Sequence, residues 1–344
     1  MRILLIGGTG FTGVSAATYL QHAGHDVTVF HRGKAPAPVG TTEIVGDVNQ
    51  LGEFKPEFER GKFDVVADFI TGSRQQAERL MHVFRGITGR IVVLSSMDVY
   101  RAMGLLRGTE AGPLQPLPLT EESDLRSRSQ YSPSELSMLR QFLPYFDDQY
   151  EKLDVEKVVL ADRELPGTVL RLPMVYGPGD YIHRFHHVLK RMDDQRPFIL
   201  YSDDIAGWRT PRGFADNVGY AIALAATLEK AAGRIYNICE EESFTELEWA
   251  RKIAEAVGWK REFIVLPREK APKHLQYPRR IEQHLVASSA RIREELGYKE
   301  PISIDEAIRR TIPWERANQP QAPLFMPFNY DDEDKALAQL KASA

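Results

Sequence analysis

The chain has 344 residues, 43% hydrophobic and 27% charged, which is enough apolar material for a sizeable core and two lobes and excludes a chain disordered throughout. A formal charge of −4 and a pI near 6.2 give no broad basic field, so neither nucleic acid nor an anionic membrane is an expected partner. The lone Cys239 cannot form an internal disulfide, and no apolar run approaches the roughly 20 residues of a membrane helix or forms a secretory leader, so a cytoplasmic protein is expected.

Residues 2–6 are a short apolar, β-rich run, residues 14–23 have helical spacing, and residues 26–30 are again apolar and β-branched, which predicts one βαβ unit. Further strands are expected at 63–70, 90–95 and 168–172, separated by helical stretches at 74–84 and 150–161. That alternation predicts an α/β fold, a doubly wound parallel sheet of the Rossmann type with a smaller α+β substrate lobe. The pattern breaks between residues 101 and 147, where Pro113, Pro116 and Pro118 precede a polar, charged stretch; this reads as a long surface insertion acting as a lid, a partner surface or a mobile excursion. Helical stretches follow at 183–192, 216–231 and 245–257, and a charged tail begins at Trp314. The expected division is a dinucleotide-binding domain over 1–172 and a substrate lobe over 173–344, with 209–237 returning to the first domain.

The first strand enters Gly7-Gly8-Thr9-Gly10-Phe11-Thr12-Gly13 and leaves it into a helix. Binding a pyrophosphate needs this order: Gly7 for the tight turn, Gly10 for close backbone approach, Gly13 for packing of helix on strand, and a helix N-terminus whose amides face the anion. A nicotinamide dinucleotide is the expected cofactor. After the second strand stand His31, Arg32 and Lys34, where an NAD-preferring chain usually places a carboxylate. Those cations suit a 2′-phosphate and point to NADP, with NAD as the alternative if Arg32 is only a solvated loop residue. Asp47 is placed either to accept from the adenine amino group or to cap a loop.

These blocks, with LSSMDVY (94–100), RLPMVYGPGD (171–180), RGFADNV (212–218) and REELGY (293–298), resemble the extended short-chain dehydrogenase/reductases of the NAD(P)-dependent epimerase/dehydratase family, in order along nearly the whole chain. The resemblance implies that Ser96 hydrogen-bonds a substrate oxygen. Asp98 falls at one of the acidic positions of the dehydratase members, Met97 at the other, so Asp98 is either a general acid or base or the cap of a strand. The family's Tyr-x-x-x-Lys is where the chain departs. With Lys152 as the lysine the tyrosine position is Asp148, whereas counting from Tyr150 puts Asp154 at the lysine position. Two residues on a regular helix are about 200° apart, so Tyr150 and Lys152 cannot share a helix face. Three readings stay open: Tyr150 reaches the site from the helix entrance, Tyr145 does so from a bent approach, or Asp98 or Asp148 takes over the proton work or redox chemistry is lost. In the first two, Lys152 binds the nicotinamide ribose and lowers the pKa of a nearby phenol.

On the substrate side the resemblance assigns Arg212 to an anionic substrate group, with Arg209, Arg279 and Arg280 as converging candidates; each could equally sit in a structural ion pair. Arg184, with His183, His186 and His187, is expected at the cleft mouth, and Trp208 and Tyr176 either stack a ring of the substrate or form an aromatic wall of the core. His183 and His187 have zinc-like spacing but lack a third ligand, so no metal is expected. The function expected is hydride transfer on a carbohydrate-like or nucleotide-sugar alcohol or ketone, by an oxidoreductase or by an epimerase or dehydratase that recycles its cofactor. The alternative is a dinucleotide-binding sensor or interaction protein, possibly RNA-binding, that has lost the chemistry. By analogy with the family a homodimer is expected.

Overall fold

The computed structural model describes residues 1–142, 148–277, 280–321 and 327–343. It opens with β1 (Arg2–Ile6), α1 (Phe11–His22) and β2 (Asp26–His31), followed by β3 (Thr42–Val45), α2 (Lys55–Gly61), β4 (Val65–Asp68), α3 (Arg74–Phe84) and β5 (Arg90–Ser96). Next come α4 (Arg101–Arg107), α5 (Pro133–Phe142), α6 (Lys152–Ala161) and β6 (Gly167–Leu172). The seven-stranded sheet is parallel throughout, in the order β10-β6-β5-β4-β1-β2-β3, with β10 (Ile235–Asn237) supplied from late in the chain.

The continuous apolar run of β1 follows from burial on both faces. Ile3 and Leu5 pack with α1 and with Val218 and Ile222 of α9 (Ala215–Thr227), while Leu4 and Ile6 pack on the opposite face with Phe58, Phe84 and Val155. The strand order reverses at β1, between β4 and β2, and in such sheets the carboxyl ends on either side of the reversal open a crevice for ligands.

Beyond the sheet, β7 (Met174–Tyr176) pairs with β9 (Arg212–Phe214), and β8 (Phe198–Ser202) with β11 (Glu262–Leu266). Around them lie α7 (His186–Asp193), α8 (Asp203–Gly207), α10 (Glu246–Val257), α11 (Ala290–Leu296), α12 (Ile304–Ala317) and α13 (Tyr330–Ser343). Thr245 closes a capping box with Glu248 at the start of α10, as the T-x-x-E spacing there allows. No helix among the described residues is long and apolar enough to cross a membrane.

Two expectations need correction. The segment after residue 101 is not a simple surface excursion: Ala102, Leu105 and Leu106 of α4 are buried, and so are the polar side chains of Gln115, Arg126 and Gln130. The polar ones lie in a proline-rich, charged stretch that gives no local sign of burial. The charged tail from Trp314 carries the last turn of α12 and the whole of α13, and Glu333 of α13 is fully buried against Arg191 and His274.

Candidate active site

The phosphate loop is built as its glycines require. Gly7 has φ +81°, a backbone conformation that side chains other than glycine's rarely adopt. A Cβ on Gly13 would lie 2.6 Å from the Gly8 Cα, so α1 rests directly on the turn, whereas a Cβ on Gly10 would meet nothing within 4 Å. Gly10 caps α1 without a side-chain bond, and no acidic residue stands in the first turn. The leading amides of the helix, those of Phe11 and Thr12 among them, therefore face outward with the positive end of its dipole. Thr9 is half-buried, Gly10 exposed and Thr12 buried at this end. The cup fits a diphosphate. The Gly177-Pro178-Gly179 turn closes over it: a Cβ on Gly179 would sit 3.2 Å from the Phe11 ring, and Tyr181 meets Phe11 edge-on at 6.4 Å.

At the adenosine end, His31 is buried; its Nδ1 accepts from the Gly33 N–H and its Nε2 lies 2.8 Å from Glu43 Oε2. It is thereby committed to the β2–β3 edge, a partner the sequence did not indicate because Glu43 is brought alongside only by strand pairing. Arg32 and Lys34 are exposed and form no ion pair among the described residues. Asp47 Oδ1 accepts from the Asn49 N–H at 2.8 Å and caps the 3-10 helix Val48–Phe54.

The chemical end lies at the carboxyl ends of β4 and β5. Lys152 begins α6 and is 7% exposed; its Nζ donates to Thr71 O at 2.6 Å and Leu94 O at 2.8 Å. Burial pulls its pKa down to about 8, against the opposing pull of Asp68, Asp98 and Glu156. Four residues along α6, Glu156 accepts from Ser95 Oγ at 2.5 Å and from Arg171 Nε and Nη2 at 3.1 and 2.7 Å, which pins this helix face to β5 and β6. Asp68 Oδ1 accepts from the Ile70 and Thr71 N–H groups and so shapes the loop that presents Thr71 O.

Tyr150 lies outside α6, one residue before its cap Glu151, so the helix-face conflict does not arise. Its buried ring packs on Gly72, where a Cβ would be 2.7 Å away, and lies 5.8 Å from Lys152 Nζ. Ser96 ends β5 and its Oγ accepts from the Asp98 N–H at 3.2 Å. Asp98 is 8% exposed in the short 3-10 helix Met97–Val99. Burial raises its carboxyl pKa, with Arg126 opposing and Glu151 reinforcing the shift. Asp148 faces solvent and pairs with Arg140, and Tyr145 lies outside the described residues.

The substrate-side candidates are not gathered at an open cleft. Tyr176 is fully buried, its hydroxyl donating to Glu240 Oε1 at 2.8 Å and its ring stacked on Phe185. Arg212 is 6% exposed, bonds both Glu246 oxygens at 2.7 Å and lies over Trp249, the ion-pair outcome rather than an open anion site. Arg184 is tied to Asp180 Oδ1 and Val175 O. Trp208 is buried and donates to Gln283 O. Arg209 lines a 520 Å³ hollow with His284 and Thr245, and Arg279 lies outside the described residues. His187 is buried with its pKa pushed down to about 3 by desolvation, and among the described residues no group of three or more His, Cys, Asp or Glu is placed to hold a metal. Sequence reasoning passed over Glu43, Arg126, Gln130 and Glu240; these polar residues act through distant partners, and nothing in their local pattern marks them.

Residues 3–239 match the NAD dependent epimerase/dehydratase family, and the chain belongs to it. It is thus an enzyme of the NAD-dependent epimerase, dehydratase and reductase type, binding a nicotinamide dinucleotide on a Rossmann fold. Among its relatives it is 24% identical over 325 residues to an Arabidopsis thaliana chloroplast stem-loop binding protein of 41 kDa, covering 89% of this chain and 77% of that one. It is 25% identical over 285 residues to the 2′-dehydrokanamycin reductase of Streptomyces kanamyceticus, covering 80% and 72%. The solved structure of MoeE5 with UDP-glucuronic acid and NAD superposes with a TM-score of 0.64 at 20% identity, over 92% of this chain and 99% of that one.

Proposed function

We propose that this enzyme interconverts an alcohol and a ketone on a carbohydrate-like or nucleotide-sugar substrate, with the dinucleotide held by Gly7, Thr9, Gly10, Phe11, Thr12 and Gly13 and by Lys152. The observation that carries the reading is the buried Lys152, held by the carbonyls of Thr71 after β4 and Leu94 in β5 and within electrostatic reach of Asp98, at the carboxyl end of the sheet where the diphosphate cup also opens. When bound, the nicotinamide supplies the hydride acceptor and donor. Ser96 orients the reacting oxygen, Asp98 exchanges its proton, and Lys152 holds the ribose with Tyr150 packed beside it. A desolvated lysine with a lowered pKa at this end of the sheet is the kind of perturbed group that functional sites concentrate, which supports retained chemistry. Residues 1–172 with 209–237 are the dinucleotide domain in this reading, and the rest of 173–344 serves the substrate. The names of the reductase and of the MoeE5 complex support a saccharide class.

The preference proposed is NADP, supported by the unpaired Arg32 and Lys34 and by the engagement of the nearby Glu43 with His31. His31 shapes that loop, and Asp47 offers a carboxylate oxygen to the adenine. Calorimetric titration with both dinucleotides tests this: NADP should bind at least tenfold tighter, and Arg32→Glu should erase the difference. Tighter NAD binding by the unmutated chain would overturn the preference, and no binding of either would overturn the function. A homodimer in a reducing cytoplasm completes the proposal, the compartment supported by the unpaired, buried Cys239 and the association checked by sedimentation.

A further inference from the structure

Residues 120–132 form a strap across the end of β5. The Arg126 N–H donates to Val99 O and the Arg101 N–H to Asp124 O, both at 2.9 Å, and Tyr100 bridges Leu125 in antiparallel fashion. Arg126 then reaches under the strap: its Nε donates to Asp98 O at 2.9 Å, and its Nη1 and Nη2 fork onto Glu151 at 2.7 and 2.5 Å. Glu151 Oε1 also accepts from the Leu153 N–H, capping the helix that carries Lys152. One guanidinium thus joins the strap, the Asp98 backbone and the lysine helix. Gln130, also buried, donates from its amide nitrogen to Asp98 Oδ2, while Asp98 Oδ1 has no hydrogen-bond partner among the described residues and lies 3.9 Å from Arg126 Nη2.

We infer that Gln130 and Arg126 are positioning residues for proton exchange by Asp98: Gln130 occupies Oδ2 as a donor, so the exchangeable proton resides on Oδ1. This rests on the function proposed above. An amide N–H bonds only an oxygen with a free lone pair directed at it, which disfavours a proton on Oδ2 and leaves Oδ1 to carry it. Oδ1 is buried, so substrate binding has to open a path to it; as a ketone is then reduced, the Oδ1–H bond breaks, the proton passes to the substrate oxygen, and its electron pair stays on a carboxylate held by the Gln130 N–H and faced by Arg126. In the reverse direction the same oxygen takes the hydroxyl proton. The charged groups facing Asp98 are Arg126 from the strap, Glu151 at the helix cap and Lys152 from α6. Burial keeps the carboxyl above its ordinary range, which favours the protonated form on which the geometry acts.

The test is an infrared titration of the full-length protein, reading the protonated-carboxyl band that Asp98→Asn removes. Gln130→Leu should raise the frequency of that band and move its midpoint up by about 0.5–1 pH unit, because a donor to the carboxylate is lost. Gln130→Glu, which keeps the shape should the leucine variant not fold, should raise the midpoint further, since two carboxyls would then share one proton. Arg126→Lys should move it less than Arg126→Gln. With turnover as a second readout, Gln130→Leu should lower kcat tenfold or more at unchanged KM and shift the pH profile with the band. If Asp98→Asn removes no protonated-carboxyl band, or neither Gln130 variant moves the midpoint, the inference is overturned. The titration needs neither cofactor nor turnover, so its failure is separable from a failure to bind dinucleotide.

Discussion

A lysine ammonium 93% removed from solvent and given two carbonyl acceptors is a costly arrangement, and the lowering of the Lys152 pKa to about 8 by burial expresses that cost. The folded state releases this proton before the unfolded state does, so between about pH 8 and the ordinary lysine range the unfolded chain binds more protons and stability rises with pH. Dinucleotide affinity should run the other way: as pH rises through about 8 the ammonium that holds the ribose is lost and binding weakens. Lys152→Met should lower affinity at neutral pH by tenfold or more and abolish that pH dependence, as titration calorimetry would show. Two glycines separate folding from binding. Gly13→Ala places a Cβ against the Gly8 backbone and should destabilise the fold by about 1–3 kcal/mol in denaturant unfolding. Gly10→Ala projects into open space and should cost less than about 1 kcal/mol of stability while weakening dinucleotide binding at least tenfold, because its methyl intrudes where the phosphates approach.

At the scale of elements, α6 shows how far a sequence pattern reaches. The spacing of residues 150–156 shows that no regular helix presents Tyr150 and Lys152 on one face, and the structure resolves this by starting the helix at Lys152. Where the helix begins depends on Glu151, whose side chain serves as cap while paired with Arg126 from the strap. A sequence window around residue 150 contains neither fact. The buried pair Glu156–Arg171, with Ser95, fixes the azimuth of α6 and so the reach of Lys152. Arg171→Met leaves the Glu156 carboxylate buried without its cation and should destabilise the protein by about 3–5 kcal/mol in urea unfolding. The strands were far more legible, because a parallel sheet covered on both faces writes itself as short, continuous apolar runs.

Across the whole molecule, the C-terminal α13 is pinned to α7 and to the segment around His274 by Glu333, which bonds Arg191 Nη2 at 2.6 Å and lies 3.1 Å from His274 Nε2, all three drawn from distant segments. Glu333→Gln should cost about 3–5 kcal/mol, since a buried guanidinium loses its counter-charge, and a lowered thermal midpoint would register it. The amino-acid sequence by itself determined the central strands of the sheet, the glycine turn ahead of α1 and the family, because these depend on local periodicity and on glycines whose neighbours in space are also neighbours in the chain. Tertiary structure alone decided which polar side chains are spent inside the fold and which are left for chemistry. Arg212, Arg184 and Tyr176 read as substrate contacts until Glu246, Asp180 and Glu240 are seen to take them, while Arg126 and Gln130 read as loop until they close on Asp98. The physical reason is that a buried polar group must find a partner, and the partner is chosen by proximity in the folded chain.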